Sequence, residues 1–247
     1  MDAFFQSRSQ SYGGWTRNSF KNFGQIPSNV QNHMMLVYLT LCCALAASAA
    51  GAYLHILMNV GGFLTMIGCF VSIMWLLSMP PYEEKKRFGL LMAASVFEGA
   101  SIGPLIERAI EFDNSILVTA FVGTAIAFAC FSGAALLAKR REYLYLGGLL
   151  SSGLSILVWL QLAGSIFGQS TAGFKIELYL GLLIFIGYMI YDTQEILERA
   201  YRGELDYVKH ALTLFTDFVA VFVRILVIMM KNASEKSEDK RRKRKSQ

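Results

Sequence analysis

Residues 208–230 read VKHALTLFTDFVAVFVRILVIMM, an apolar run with Asp217 near its middle and Arg224 seven positions later. A hydrocarbon core about 30 Å thick needs roughly 20 residues of helix, and an ionised carboxylate inside it costs at least a few kcal/mol. The run is long enough to cross, but Asp217 has to face protein or water. Two forms satisfy this, a helix buried among other helices or a re-entrant segment, and the sequence leaves both open.

Outward from this stretch, the chain repeats the same pattern. Apolar runs predict helices at 34–57, 60–79, 88–106, 116–138, 143–167 and 176–191 before the last at 208–230. The residues are 54% hydrophobic and mean hydropathy is +0.43, more apolar surface than a soluble domain of 247 residues can hide. The fold class is therefore an all-α membrane protein of seven transmembrane helices. Residues 1–33 are expected to form a cytosolic N-terminal segment, 34–230 the membrane domain and 231–247 a basic, disordered tail. Pro27 and Ser28 mark a possible helix start, and Pro80 and Pro81 stop the second helix. Pro104 is expected to kink or end the third. No signal peptide is visible in the first residues, so the first membrane helix should serve for targeting.

Cys42, Cys43, Cys69 and Cys130 lie in apolar runs without metal-ligand spacing and are read as small packing residues. Gly99-xxx-Gly103 and Gly148-xxx-Ser152 offer close helix approaches. Cytoplasmic loops retain Lys and Arg. If all seven runs cross, one side collects Arg8, Arg17, Lys21, Lys85, Lys86, Arg87, Lys139, Arg140, Arg141, Arg199 and Arg202 against Arg108 and Lys175. The amino terminus is then cytosolic, while seven crossings put the basic tail on the other side. These inferences oppose each other, and the side of the tail is left open.

Glu98 and Asp217 are intramembrane acids and candidates for gating or ion binding. At about 100° per residue, His210, Asp217 and Arg224 share one helix face, with Thr213 and Leu214 completing the stripe. Asp192, at the far end of the sixth helix, reaches Asp217 if the two helices form a hairpin. Two adjacent carboxylates share a proton or hold a cation. In the tail, Lys240, Arg241, Arg242, Lys243, Arg244 and Lys245 suit anionic lipid or an acidic partner such as calmodulin. The ending also fits a KxKxx retrieval signal for the endoplasmic reticulum, which works only from the cytosol.

EGASIGPLI, AFVGTAIAF, REYLYLGGLLSSGLSIL, GYMIYDTQEI and YVKHALTLFTDFVAVFVRIL resemble, in order, segments of the Bax inhibitor-1 family, most closely its plant members. The resemblance implies seven helices with the last surrounded by the other six, and an acid pair, Asp192 and Asp217, controlling a calcium leak according to pH. It also implies residence in the endoplasmic reticulum, suppression of stress-induced cell death and calmodulin binding through the tail. Bacterial relatives set an arginine of the second helix against the pair. VGGFLTMIGCFVSIMWLLSM holds no charge, so Arg224 is the substitute considered.

The expectation is thus a non-enzymatic membrane regulator with no cofactor beyond calcium as transported or bound ion. Its partners would be other reticulum membrane proteins and cell-death regulators, not nucleic acid. A non-transporting scaffold is the alternative. A diaspartyl intramembrane protease is a weaker one, because Thr216-Asp217 lacks the GxGD motif.

Overall fold

The computed structural model describes residues 26–138, 143–168 and 170–245, with side chains through Ser237. Its helices are α1 (Ser28–Met58), α2 (Phe63–Ser78), α3 (Glu84–Phe112), α4 (Asn114–Leu137), α5 (Leu146–Phe167), α6 (Thr171–Tyr201) and α7 (Tyr207–Lys245). All but α2 are long and apolar enough to cross a membrane. With 16 residues, α2 extends about 24 Å at 1.5 Å per residue. It is apolar and turns Phe63, Leu64 and Phe70 outward. The chain is a seven-helix membrane protein.

The last helix is central. Half of its apolar window is buried, against 39% or less in the other spans. It packs on α1, α3, α4 and α6, while α2 lies outside on α3 and α5 outside on α6. The enclosure is therefore by four neighbours, not six. α7 is also unbroken, so of the two forms open for 208–230 the structure takes the buried helix, since a re-entrant segment needs a break.

The helices outrun the apolar stretches that announce them. α3 passes through Pro104 and continues to Phe112, and α6 continues ten residues past the expected 191 to Tyr201. α1 begins at Ser28, which moves His33 out of the N-terminal segment and into the membrane domain. α7 likewise runs past 231 to Lys245 instead of giving way to a disordered tail. No Gly or Pro interrupts the chain after 207, and Ala, Glu, Lys and Arg favour helix. Its first charged turns are tied to α6: the Lys231 ammonium lies 5.0 Å from the Phe174 ring centre, and Glu235 pairs with Lys175 at 3.4 Å. The tail therefore leaves the bundle at the end opposite the start of α1. The tail-binding residues Lys240 to Lys245 have side chains outside the described residues, as do Lys139 to Arg141 and residues 1–25.

α6 and α7 form a hairpin closed by a Schellman turn. Glu204 N–H donates to the Arg199 carbonyl and Gly203 N–H to that of Ala200, with Gly203 at φ +90°, where a Cβ would be strained. At the other end of the bundle, Asp113 caps α4 by accepting from Ser115 N–H at 2.8 Å. That N–H and then the Ser115 hydroxyl hold the Asp113 carboxyl below its usual range.

α1 and α3 approach most closely. A Cβ on Gly99 would land on the Ser48 carbonyl, one on Gly51 on the Val96 carbonyl, and one on Gly103 within 2.6 Å of the His55 side chain. The Gly99-xxx-Gly103 reading holds. Gly148 faces open space, and the glycines of α5 that meet α6 are Gly147, against Tyr191, and Gly153, against Ile184. Among the cysteines only Cys69 is buried; Cys42, Cys43 and Cys130 face outward, so three are not packing residues.

Candidate functional site

The hairpin sets Asp192 and Asp217 level with each other. Asp192 lies nine residues before the end of α6 and Asp217 ten after the start of α7, both about 14 Å from the connector at 1.5 Å per residue. Asp192 is thus inside its helix, not at its end as the apolar pattern indicated. The two carboxyl groups face each other closely enough to interact directly. Two carboxyls this close cannot both ionise cheaply, so the arrangement is suited to sharing a proton or holding a cation. Asp217 is 5% exposed and its Oδ2 has no protein partner. Asp192 is half-buried and lines a pocket of about 60 Å3 with Glu195, Thr213 and His210.

The remaining residues of the α7 stripe separate to different partners. His210 Nδ1 lies 2.9 Å from His33 Nε2 of α1, both rings buried. The Arg224 guanidinium sits 4.2 Å from the Phe185 ring centre and donates to the Ala220 carbonyl at 2.9 Å. It crosses α6 where Gly181 leaves room. Arg224 therefore does not take the place of the arginine set against the pair in bacterial relatives. Glu98 does not join the pair either. It accepts from the Cys69 thiol at 3.4 Å, a contact between α2 and α3.

Two features escaped the reading of the sequence. Arg87, counted only as a loop charge, is buried and pairs with Asp206 of the connector at 2.8 Å, pinning the α6–α7 hairpin to α3. Tyr38, Ser132 and Thr193 form a hydroxyl chain joining α1, α4 and α6, with oxygens 2.6 and 2.9 Å apart. Thr193 donates to the Met189 carbonyl at 2.6 Å. The donors therefore run from Tyr38 inward and stop at a carbonyl, which makes this a clamp beside Asp192 and not a proton wire. A run of small hydroxyl residues on three helices gave no hint of that register.

Among the described residues no cluster of three or more His, Cys, Asp and Glu side chains is arranged to hold a metal. The acid pair offers at most four oxygens, whereas calcium takes six to eight. The chemistry suits brief occupancy of a partly hydrated cation, not tight storage.

This is a multi-pass helical membrane protein with two acids, Asp192 and Asp217, facing each other in its interior. Residues 30–234 match the family model described as inhibitor of apoptosis-promoting Bax1. Bax inhibitor 1 of Oryza sativa subsp. japonica is 69% identical over 250 aligned positions covering both chains in full. That of Arabidopsis thaliana is 67% identical over 239, covering 96% of each. The Homo sapiens protein is 39% identical over 223, covering 89% of this chain and 94% of the human one. The chain belongs to the Bax inhibitor-1 family.

Proposed function

We propose that this protein suppresses programmed cell death from the endoplasmic reticulum membrane by regulating a calcium leak through the Asp192–Asp217 pair. The observation that carries the mechanism is the close facing of two carboxyl groups in the interior of the bundle, with Asp217 Oδ2 unpartnered. One proton holds α6 and α7 together there. Its loss leaves two like charges in contact, and a cation is the other species able to relieve them. Proton and calcium then compete for one site, which makes the leak sensitive to pH. Family membership supports the role in cell death, since the matching family model is described as inhibitor of apoptosis-promoting Bax1.

The test is calcium efflux from vesicles reconstituted with purified protein, across a pH series. The wild type should leak in a pH-dependent way, and Asp192→Asn and Asp217→Asn should each abolish that dependence. Efflux unaffected by either change would favour a scaffold that transports nothing. Binding of calmodulin or anionic lipid by Lys240 to Lys245 belongs to the same proposal. The calmodulin arm depends on that end of α7 reaching the cytosol.

A further inference from the structure

Toward the end of the bundle where α1 begins, α1 and α4 touch: the Tyr38 hydroxyl lies 2.6 Å from that of Ser132, and the Tyr38 ring stands edge-on to Phe128. Further along they part, and an apolar groove of about 480 Å3 opens between them. Its walls are the second half of α1, from Leu45 to Ile56, and the first turns of α4, from Leu117 to Phe121, with α3 and α7 behind. Ser48 and Tyr53 carry the only polar side chains among its lining residues. Tyr53, Val118 and Phe121 are exposed at its rim. The stretch from Leu45 to Ile56 rises about 16 Å at 1.5 Å per residue, the depth of one leaflet in a hydrocarbon core about 30 Å thick. The groove therefore runs from mid-membrane to the boundary opposite the start of α1, where lipid is the surrounding solvent. Its volume, apolar walls and few polar groups are those of a small-molecule site.

We propose that this groove binds one sterol from the membrane, with its rings against α7 and its hydroxyl toward Tyr53.

Three features select a sterol over a phospholipid chain. The first is the shape of the slot. α1 presents Ala49 and Ala52, a smooth wall of single methyl groups. The back is aromatic: Phe218 and Phe222 of α7, with Phe121 of α4 edge-on to both at 5.9 and 6.2 Å between ring centres. A fused, rigid ring system fills such a slot without losing internal freedom, whereas an acyl chain has to be ordered bond by bond. The second is the polar group at the mouth. Tyr53 stands five residues before the end of α1, at the level where tyrosines gather at the membrane–water boundary. A single phenol there matches the single hydroxyl of a sterol. The third is charge. Where α3 ends and turns into α4, at the open end of the groove, the chain carries Glu107, Glu111 and Asp113 against Arg108. His55 Nδ1 accepts from the Gly61 N–H at 2.7 Å, so that ring adds no positive charge. The excess of carboxylates opposes a phosphate headgroup and is indifferent to a neutral hydroxyl. The groove shares no lining residue with the pocket that contains Asp192.

The experiment places the full chain in phosphatidylcholine nanodiscs with a diazirine-bearing sterol or, in parallel, a phosphatidylcholine carrying the diazirine in its acyl chain, and maps the labelled residues by mass spectrometry. On the wild type, the sterol should label the groove residues of α1, α3 and α4 saturably, and excess unlabelled sterol should remove that label. The phospholipid probe should mark outward residues of every helix, Trp159 of α5 among them, without preference for the groove. Ala49→Phe fills the slot from an exposed position and should lower sterol labelling about tenfold or more, while phospholipid labelling of Trp159 stays at the wild-type level. Val118→Trp should do the same from the opposite wall and serves where Ala49→Phe does not fold. Tyr53→Phe keeps the shape, loses the hydroxyl and should weaken sterol competition about three- to tenfold. Sterol label spread evenly over the lipid-facing helices, label unchanged in both filling variants, or equal groove labelling by the phospholipid probe would overturn the proposal. Wild-type competition in Tyr53→Phe would overturn the placing of the hydroxyl.

Discussion

The buried ion pair between Arg87 and Asp206 should be worth more to one partner than to the other. The side chains are 4% and 19% exposed and meet at 2.8 Å. Removing one member of a buried pair typically costs about 3–5 kcal/mol, because the other is left buried without compensation. In Asp206→Asn the stranded group is the guanidinium, whose other contact is a long 3.4 Å bond to the Leu76 carbonyl. That variant should lose about 3–4 kcal/mol. In Arg87→Gln the stranded carboxylate, already partly wet, can turn to solvent, and the loss should be about 2 kcal/mol. The double variant should lose little more than Asp206→Asn alone, a coupling of about 2 kcal/mol. At roughly 2–4 °C per kcal/mol for a chain of this size, Asp206→Asn should melt about 6–16 °C below wild type. Thermal unfolding in nanodiscs, read by tryptophan fluorescence, measures all four corners of the cycle. Equal single losses that simply add would refute the claim that this contact pins the hairpin to α3.

Gly99→Leu should prevent close packing of α1 on α3 and destabilise by at least about 1–3 kcal/mol, whereas Gly148→Ala, in open space, should be neutral or gain up to about 1 kcal/mol; melting of both variants separates the two small-residue patterns. Tyr38→Phe should cost about 1 kcal/mol and leave the pH dependence of calcium efflux unchanged, because its hydroxyl chain ends on a carbonyl. Arg224→Gln should likewise leave that pH dependence unchanged while lowering the melting temperature through loss of the contact with Phe185. Glycosylation acceptors placed at both ends of the chain should be modified at one end only, since the tail leaves the bundle opposite the start of α1.

Length and hydropathy made the seven helices readable, and the cost of exposing Asp217 to lipid left the last run either buried or re-entrant; its central place was implied only by the family resemblance. Helix ends were not readable from the same signal. Glu84, Glu195 and Arg199 lie in helices whose charged turns extend beyond the apolar run, so hydropathy cuts them short. The 3.6-residue period put His210, Asp217 and Arg224 on one face, but period says nothing about what stands opposite. Their partners, His33, Asp192 and Phe185, come from two other helices. His33 was hidden in a stretch polar enough to pass for a leader. Gly99 and Gly148 belong to the same kind of motif and differ only in the rotation of their helices, which depends on packing partners far away in sequence.

The most direct test counts protons released when calcium binds the purified protein in nanodiscs at constant pH. If Asp192 and Asp217 share one proton that a cation displaces, the wild type should release up to one proton per calcium bound, and neither Asn variant should release any. Calcium binding without proton release, or release that persists in both variants, would contradict the account.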